Sequence, residues 1–191
     1  MFFICTTLTT SKAQNWEIDL VRKINPSNPS SSYWQTHSNL VKPIAIGLPI
    51  GLLIYGKIKK DDKSIDAALK VGGSIIVTAA VTEGIKRMIN KPRPYQQFTG
   101  IYPDTYMDGE SFPSGHTSLA FASATSLTMQ YKKWYVILPA YSWAVSVGYS
   151  RMYLGQHYPS DVLAGALVGT AGAFASEWLN KKLFRTKKKM K

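Results

Sequence analysis

Residues 162–179 read VLAGALVGTAGAFASEWL, with Glu177 as their one charged residue. Gly165, Gly169 and Gly172 follow one another at intervals of four and three, so they fall on one face of a helix. A face of small residues lets a neighbouring helix backbone come close, which strands do not require. Four more segments share this Ala, Gly, Ser and Thr-rich apolar character: 43–56 (PIAIGLPIGLLIYG), 66–85 (DAALKVGGSIIVTAAVTEGI), 115–130 (GHTSLAFASATSLTMQ) and 134–149 (WYVILPAYSWAVSVGY). The expected fold is all-α, a helical bundle of about five core helices.

Water and bilayer compete as the solvent of this bundle. The charge-free runs are shorter than the ~20 residues of a usual spanning helix, and the mean hydropathy is −0.10. Both facts favour a soluble bundle. The placement of charge favours a membrane. Five spans with the N-terminus outside put KIKKDDK (57–63), the lysines of 131–133 and the tail 181–191 on one side. That is the cytoplasmic side by the positive-inside rule. We therefore read the bundle as transmembrane, with loops 86–114 and 150–161 together on the outer side. A soluble periplasmic protein is the alternative.

Ahead of the bundle, residues 1–13 resemble the end of a secretory signal peptide cleaved after Ala13, although a charged n-region is missing. Residues 14–41 read as a short amphipathic helix, Trp16 to Ile24, and a turn-rich linker. Residues 42–180 form the helical domain and 181–191 a basic cytoplasmic tail. The single cysteine, Cys5, excludes an internal disulfide and a multi-cysteine metal site. A formal charge of +12 calls for anionic partners. Nucleic acid is not among them, because the basic groups punctuate apolar segments and do not line one face with stacking aromatics.

The outer loops gather the reactive side chains. Lys86 and Arg93 lie in KRMINKPRP, Ser114, Gly115 and His116 in FPSGH, and Arg151, His157 and Asp161 in SRMYLGQHYPSD. Two guanidinium groups and an ammonium can neutralise a phosphoryl group. Ser114 and Gly115 stand where a helix begins, where free N–H groups and the dipole favour an anion. Of the two histidines, one can attack phosphorus and the other can protonate the leaving oxygen. Asp161 follows His157 by four residues and can fix its tautomer. No carboxylate cluster offers a metal site, so the expected cofactor is none.

At these residues the chain resembles the type 2 phosphatidic acid phosphatase superfamily, which includes bacterial acid phosphatases and vanadium haloperoxidases. Its pattern is K-x6-R-P, then P-S-G-H, then S-R-x5-H-x3-D, and every position is matched between Lys86 and Asp161. The resemblance implies a metal-independent phosphatase working through a phosphohistidine. His157 would be the nucleophile, Asp161 its orienting partner and His116 the acid and base. Lys86, Arg93, Ser114, Gly115 and Arg151 would hold the phosphoryl oxygens. A site at the membrane surface suits a phosphorylated lipid: phosphatidic acid, phosphatidylglycerol phosphate, undecaprenyl diphosphate or lipid A. Vanadate and phosphate are the expected inhibitors, and residues 95–112 the expected lid. The competing non-enzymatic reading is a membrane protein that binds anionic lipid without turnover.

Overall fold

A computed structural model describes residues 8–189, with side chains from Trp16 to Lys182. Most of the expected leader, and the end of the basic tail, therefore lie outside the described residues or side chains. Among the described residues there are seven helices of eight residues or more and one single-turn helix, with no strand. They are α1 (Leu8–Ile24), α2 (Ser32–Asn39), α3 (Val41–Lys59), α4 (Asp62–Ile89), α5 (Pro94–Gln97), α6 (Gly115–Gln130), α7 (Trp134–Tyr153) and α8 (Pro159–Lys189). The five expected apolar segments correspond to α3, α4, α6, α7 and α8; α6 coincides with its segment, and the other four run past the apolar run that announced them.

The middle of the bundle belongs to α6, which packs against α3, α4, α7 and α8. Its buried residues are small: Thr117, Ser118, Ala120, Ala122, Ser123, Ala124, Thr125, Ser126 and Thr128. Several hydroxyls bond back to their own helix, as Ser126 Oγ does to the Ala122 carbonyl at 2.7 Å, so an interior helix can be polar in composition. The glycine series of α8 divides its work. A Cβ at Gly169 would lie 2.2 Å from the Ser118 carbonyl of α6, and one at Gly165 would lie 2.7 Å from the Ser114 carbonyl. Gly172 instead faces Thr78 of α4. Only the absence of a side chain permits this approach.

Among the described residues three segments are long and apolar enough to cross a membrane: Val41–Lys59, Asp62–Gln97 and Pro159–Lys182. Their outward residues are apolar, with Ile46, Ile50, Ile54 and Ile58 of α3 and Leu163 and Leu167 of α8 all exposed. Water would not favour such a belt; lipid does. The α6 helix, at 16 residues, is shorter than a usual span, and α7, which exposes Trp134, Leu138 and Val145, is interrupted by polar residues and Arg151.

The region before the bundle departs from expectation. The stretch read as a linker contains α2, whose polar sequence SYWQTHSN is a poor helix former. Tertiary contact overrides propensity there: the Trp34 ring packs 4.6 Å from that of Tyr149 on α7. The α1 helix begins earlier than Trp16 and packs on the molecule, burying Ile18 and Val21 against Ile101 and Tyr158. Asn25 then ties it to the loops, donating to the Tyr102 and Tyr153 carbonyls at 2.8 Å each.

Candidate active site

Helix polarity brings the reactive residues to one end of the bundle. Lys86 closes α4, His116 opens α6, Arg151 closes α7 and Asp161 lies in the first turn of α8. Two backbone devices draw α6 and α8 together. Gly165 admits the Ser114 end of α6, and the Ser114 amide donates to the Asp161 carbonyl at 3.0 Å. At the end of α7, Gly155 takes a positive φ of 68° and passes close under the Tyr102 carbonyl, turning the chain toward His157.

The start of α8 is tightly capped. Asp161 Oδ2 accepts from the Tyr158 amide at 3.0 Å, and Glu17 of α1 accepts from the Ser160 amide at 2.8 Å. Pro159 opens the helix, where a missing N–H costs nothing.

A cleft of about 290 Å³ is lined by Lys42, Glu83, Lys86, Arg93, Met107, Gly115, His116, Leu119, Arg151 and His157. Six of the eight residues expected from sequence are in that lining, both histidines among them. Ser114 and Asp161 stand behind it. Ser114 is fully buried, and its Oγ accepts from Thr117 Oγ1 at 2.9 Å, so its hydroxyl serves the helix start and not the cleft. Gly115 reaches the cleft, where the first-turn amides of α6 have no carbonyl one turn earlier to bond.

The cations are held in place from outside. Arg93, 5% exposed, donates to the Gly109 and Gln156 carbonyls at 3.2 Å each. Lys86 Nζ donates to the Glu110 carbonyl. Arg151 is 3% exposed, and its Nη1 donates to Ser38 Oγ of α2 at 2.5 Å. Its Nε has no hydrogen-bond partner among the described residues. A buried guanidinium N–H without an acceptor is costly, and an anion in the cleft would supply one.

His157 is 2% exposed and lies two residues before α8 begins. Because it is outside the helix, the one-turn spacing to Asp161 does not give a direct bond: Nδ1 stands 3.6 Å from Oδ2, beyond good hydrogen-bond reach. Ser111 fills the gap, with Oγ 3.3 Å from His157 Nδ1 while it donates to Asp161 Oδ2. Asp161, itself without exposed surface, also receives Lys91 Nζ on Oδ1 at 2.8 Å. Burial drives the imidazole pKa down from 6.5 to about 3, helped by Arg151 and Arg93 and opposed by Asp161. His157 is therefore neutral at neutral pH.

Lys91, Ser111, Ser38, Met107 and Lys42 escaped the sequence reading. Only Lys91 left a trace there, as a basic residue inside KRMINKPRP. The others come from the lid region, α2 and α3, whose proximity to the site is a product of the fold. The 95–112 loop is pinned to the site. Gln156 Nε2 donates to Asp104 Oδ1 at 2.9 Å and to the Thr105 carbonyl at 2.7 Å. Tyr106 of that loop is exposed and does not turn into the cleft.

A family model for the PAP2 superfamily matches residues 67–185, the stretch from α4 through most of α8. The chain belongs to the PAP2 superfamily. An undecaprenyl-diphosphatase from Sulfolobus acidocaldarius is 32% identical over 136 residues, covering 69% of this chain and 62% of that protein. A lipid A 4'-phosphatase from Bacteroides thetaiotaomicron is 32% identical over 100 residues, covering 52% of this chain and 44% of that protein. The chain thus spans less than two thirds of the length of these relatives. The crystal structure of Aquifex aeolicus LpxE superposes with a TM-score of 0.73 at 26% identity, covering 83% of this chain and 93% of that one. The matched region holds every candidate residue from Lys86 to Asp161, while Lys42 and Ser38 precede it.

Proposed function

We propose that this PAP2 protein is a phosphatase that hydrolyses a lipid phosphate or diphosphate through a phosphohistidine. The observation that carries the reading is the convergence of two imidazoles and four cations on one cleft, with the Arg151 Nε buried and unpartnered among the described residues.

His157 Nε2 attacks phosphorus while the bond to the leaving oxygen breaks, and His116 delivers a proton to that oxygen. Lys86, Arg93, Arg151 and the α6 amides at Gly115 bind the equatorial oxygens, whose charge rises in the transition state. In the second half-reaction His116 takes a proton from water, the water oxygen bonds to phosphorus, and the phosphorus–nitrogen bond breaks to release inorganic phosphate. The cations do the charge work, so the proposal includes independence from metal.

The belt of exposed apolar residues supports a membrane enzyme, and the cleft at one bundle end supports a substrate that diffuses in the bilayer plane. Exposed lysines at the other end, Lys57, Lys59, Lys60, Lys132 and Lys133, support a cytoplasmic placement of that end and a periplasmic placement of the cleft. The names of the relatives above make undecaprenyl diphosphate and lipid A the first substrates to try. Purified protein in detergent should release phosphate from a panel of lipid phosphates and diphosphates, keep that activity after chelation, and lose it to vanadate. Binding of these lipids with no phosphate released would favour the lipid-binding reading instead.

A further inference from the structure

We infer that Lys91 is a positioning residue for the reaction proposed above, clamping Asp161 and Ser111 so that His157 presents a free Nε2 to the cleft. The inference rests on His157 being the nucleophile and goes beyond it by assigning what keeps that nucleophile ready.

Lys91 lies outside the cleft lining, just after α4, where Asn90 takes a left-handed φ of 47° and turns the chain toward α8. It acts at both of its polar groups. Its carbonyl accepts from the Ser111 amide at 2.7 Å. Its ammonium donates to Asp161 Oδ1 at 2.8 Å and Ser160 Oγ at 3.1 Å, and sits 4.0 Å from the centre of the Tyr158 ring. One residue thus fixes both members of the pair behind the imidazole.

Donor counting gives the consequence. Ser111 has one hydroxyl proton, and it goes to Asp161 Oδ2. Its oxygen can then only accept from His157 Nδ1, 3.3 Å away. The proton of a neutral imidazole is thereby held on Nδ1, and the lone pair of Nε2 is left for phosphorus.

Charge gives a second consequence. The charged and titratable groups around His157 and the cleft it faces are Asp161 on α8, Arg151 on α7, Arg93 before α5, His116 on α6, Lys86 and Glu83 on α4 and Lys42 on α3. Among the described residues Asp161 is the carboxylate in contact with Ser111 and nearest the His157 ring, and Lys91 offsets it. Without that ammonium the buried carboxylate would draw a proton onto His157 and remove the lone pair.

The test is the pH dependence of kcat for Lys91→Met, Lys91→Arg and Ser111→Ala, measured in detergent on a lipid phosphate that the wild type hydrolyses. Lys91→Met should lower kcat by about 10- to 100-fold with KM nearly unchanged, and move the acid limb up by about one pH unit. Lys91→Arg should restore the limb and most of the rate, and Ser111→Ala should lower kcat at constant KM. A wild-type kcat and acid limb in Lys91→Met, or a loss confined to KM, would overturn the inference while leaving the phosphatase reading intact. If Lys91→Met does not fold, the other two variants decide: loss of rate in Lys91→Arg equal to that in His157→Ala, or unaltered kcat in Ser111→Ala, overturns it. A wild type that is inactive on every lipid would defeat the phosphatase reading itself; the inference is then read from the His157 ring by NMR titration, where Lys91→Met must raise its pKa.

Discussion

Both ends of the bundle carry cations and hold them differently. At one end Arg93 and Arg151 are buried, and each is held by a carbonyl or hydroxyl from another part of the chain. At the other end Lys57, Lys59, Lys60, Lys132 and Lys133 are exposed. A buried cation is tolerated only where something repeatedly neutralises it, and a phosphoryl group would do so. An exposed lysine costs little and serves to orient the helices in a membrane. Position and burial set the two groups of cations apart.

The sharpest break of that comparison is at the nucleophile. His157→Ala should lower turnover by more than about 10³-fold with the helical circular dichroism unchanged; activity within tenfold of wild type would contradict the account. Next come the cations. Arg151→Gln should cost about 10²- to 10³-fold in kcat/KM, while Lys59→Gln with Lys60→Gln at the opposite end should stay within about twofold, since exposed charges far from the cleft are weakly coupled to it. Equal losses at the two ends would erase the distinction.

A packing change should act on both ends alike. The Cβ of Gly169→Val would press on the Ser118 carbonyl, so thermal unfolding in detergent should come earlier, by the equivalent of about 1–3 kcal/mol. An unchanged unfolding temperature would mean that α6 and α8 are less closely packed than described.

The helices were legible in the sequence because small and apolar residues recur at helical spacing, and the charged clusters told which ends meet. Six of the cleft residues were legible because three local clusters each supply part of one cleft. What stayed hidden depends on contacts far apart in sequence. The α2 helix exists through Trp34 against Tyr149, and Ser38 matters only because α2 brings it to Arg151. The direct Asp161–His157 bond was expected from a one-turn spacing, but His157 precedes the helix, and Ser111 from the distant loop completes the link.

A last expected effect is on acid stability. His157 is held neutral, with a pKa of about 3 against 6.5 in an open chain, so the unfolded protein takes up the proton first. Its contribution to stability is complete above about pH 6.5 and is lost as the pH falls toward 3. The stability difference between wild type and His157→Gln, followed by thermal unfolding, should therefore shift in favour of the variant across that window. A difference independent of pH would place the imidazole in a more open setting.

The most direct measurement is capture of the covalent intermediate. A lipid phosphate carrying radiolabelled phosphorus would be mixed with the protein, quenched in base where phosphohistidine survives, and the labelled peptide identified by mass spectrometry. The account predicts phosphate on His157, and none in His157→Ala. Label on His116, or rapid turnover with no label on any histidine, would contradict it.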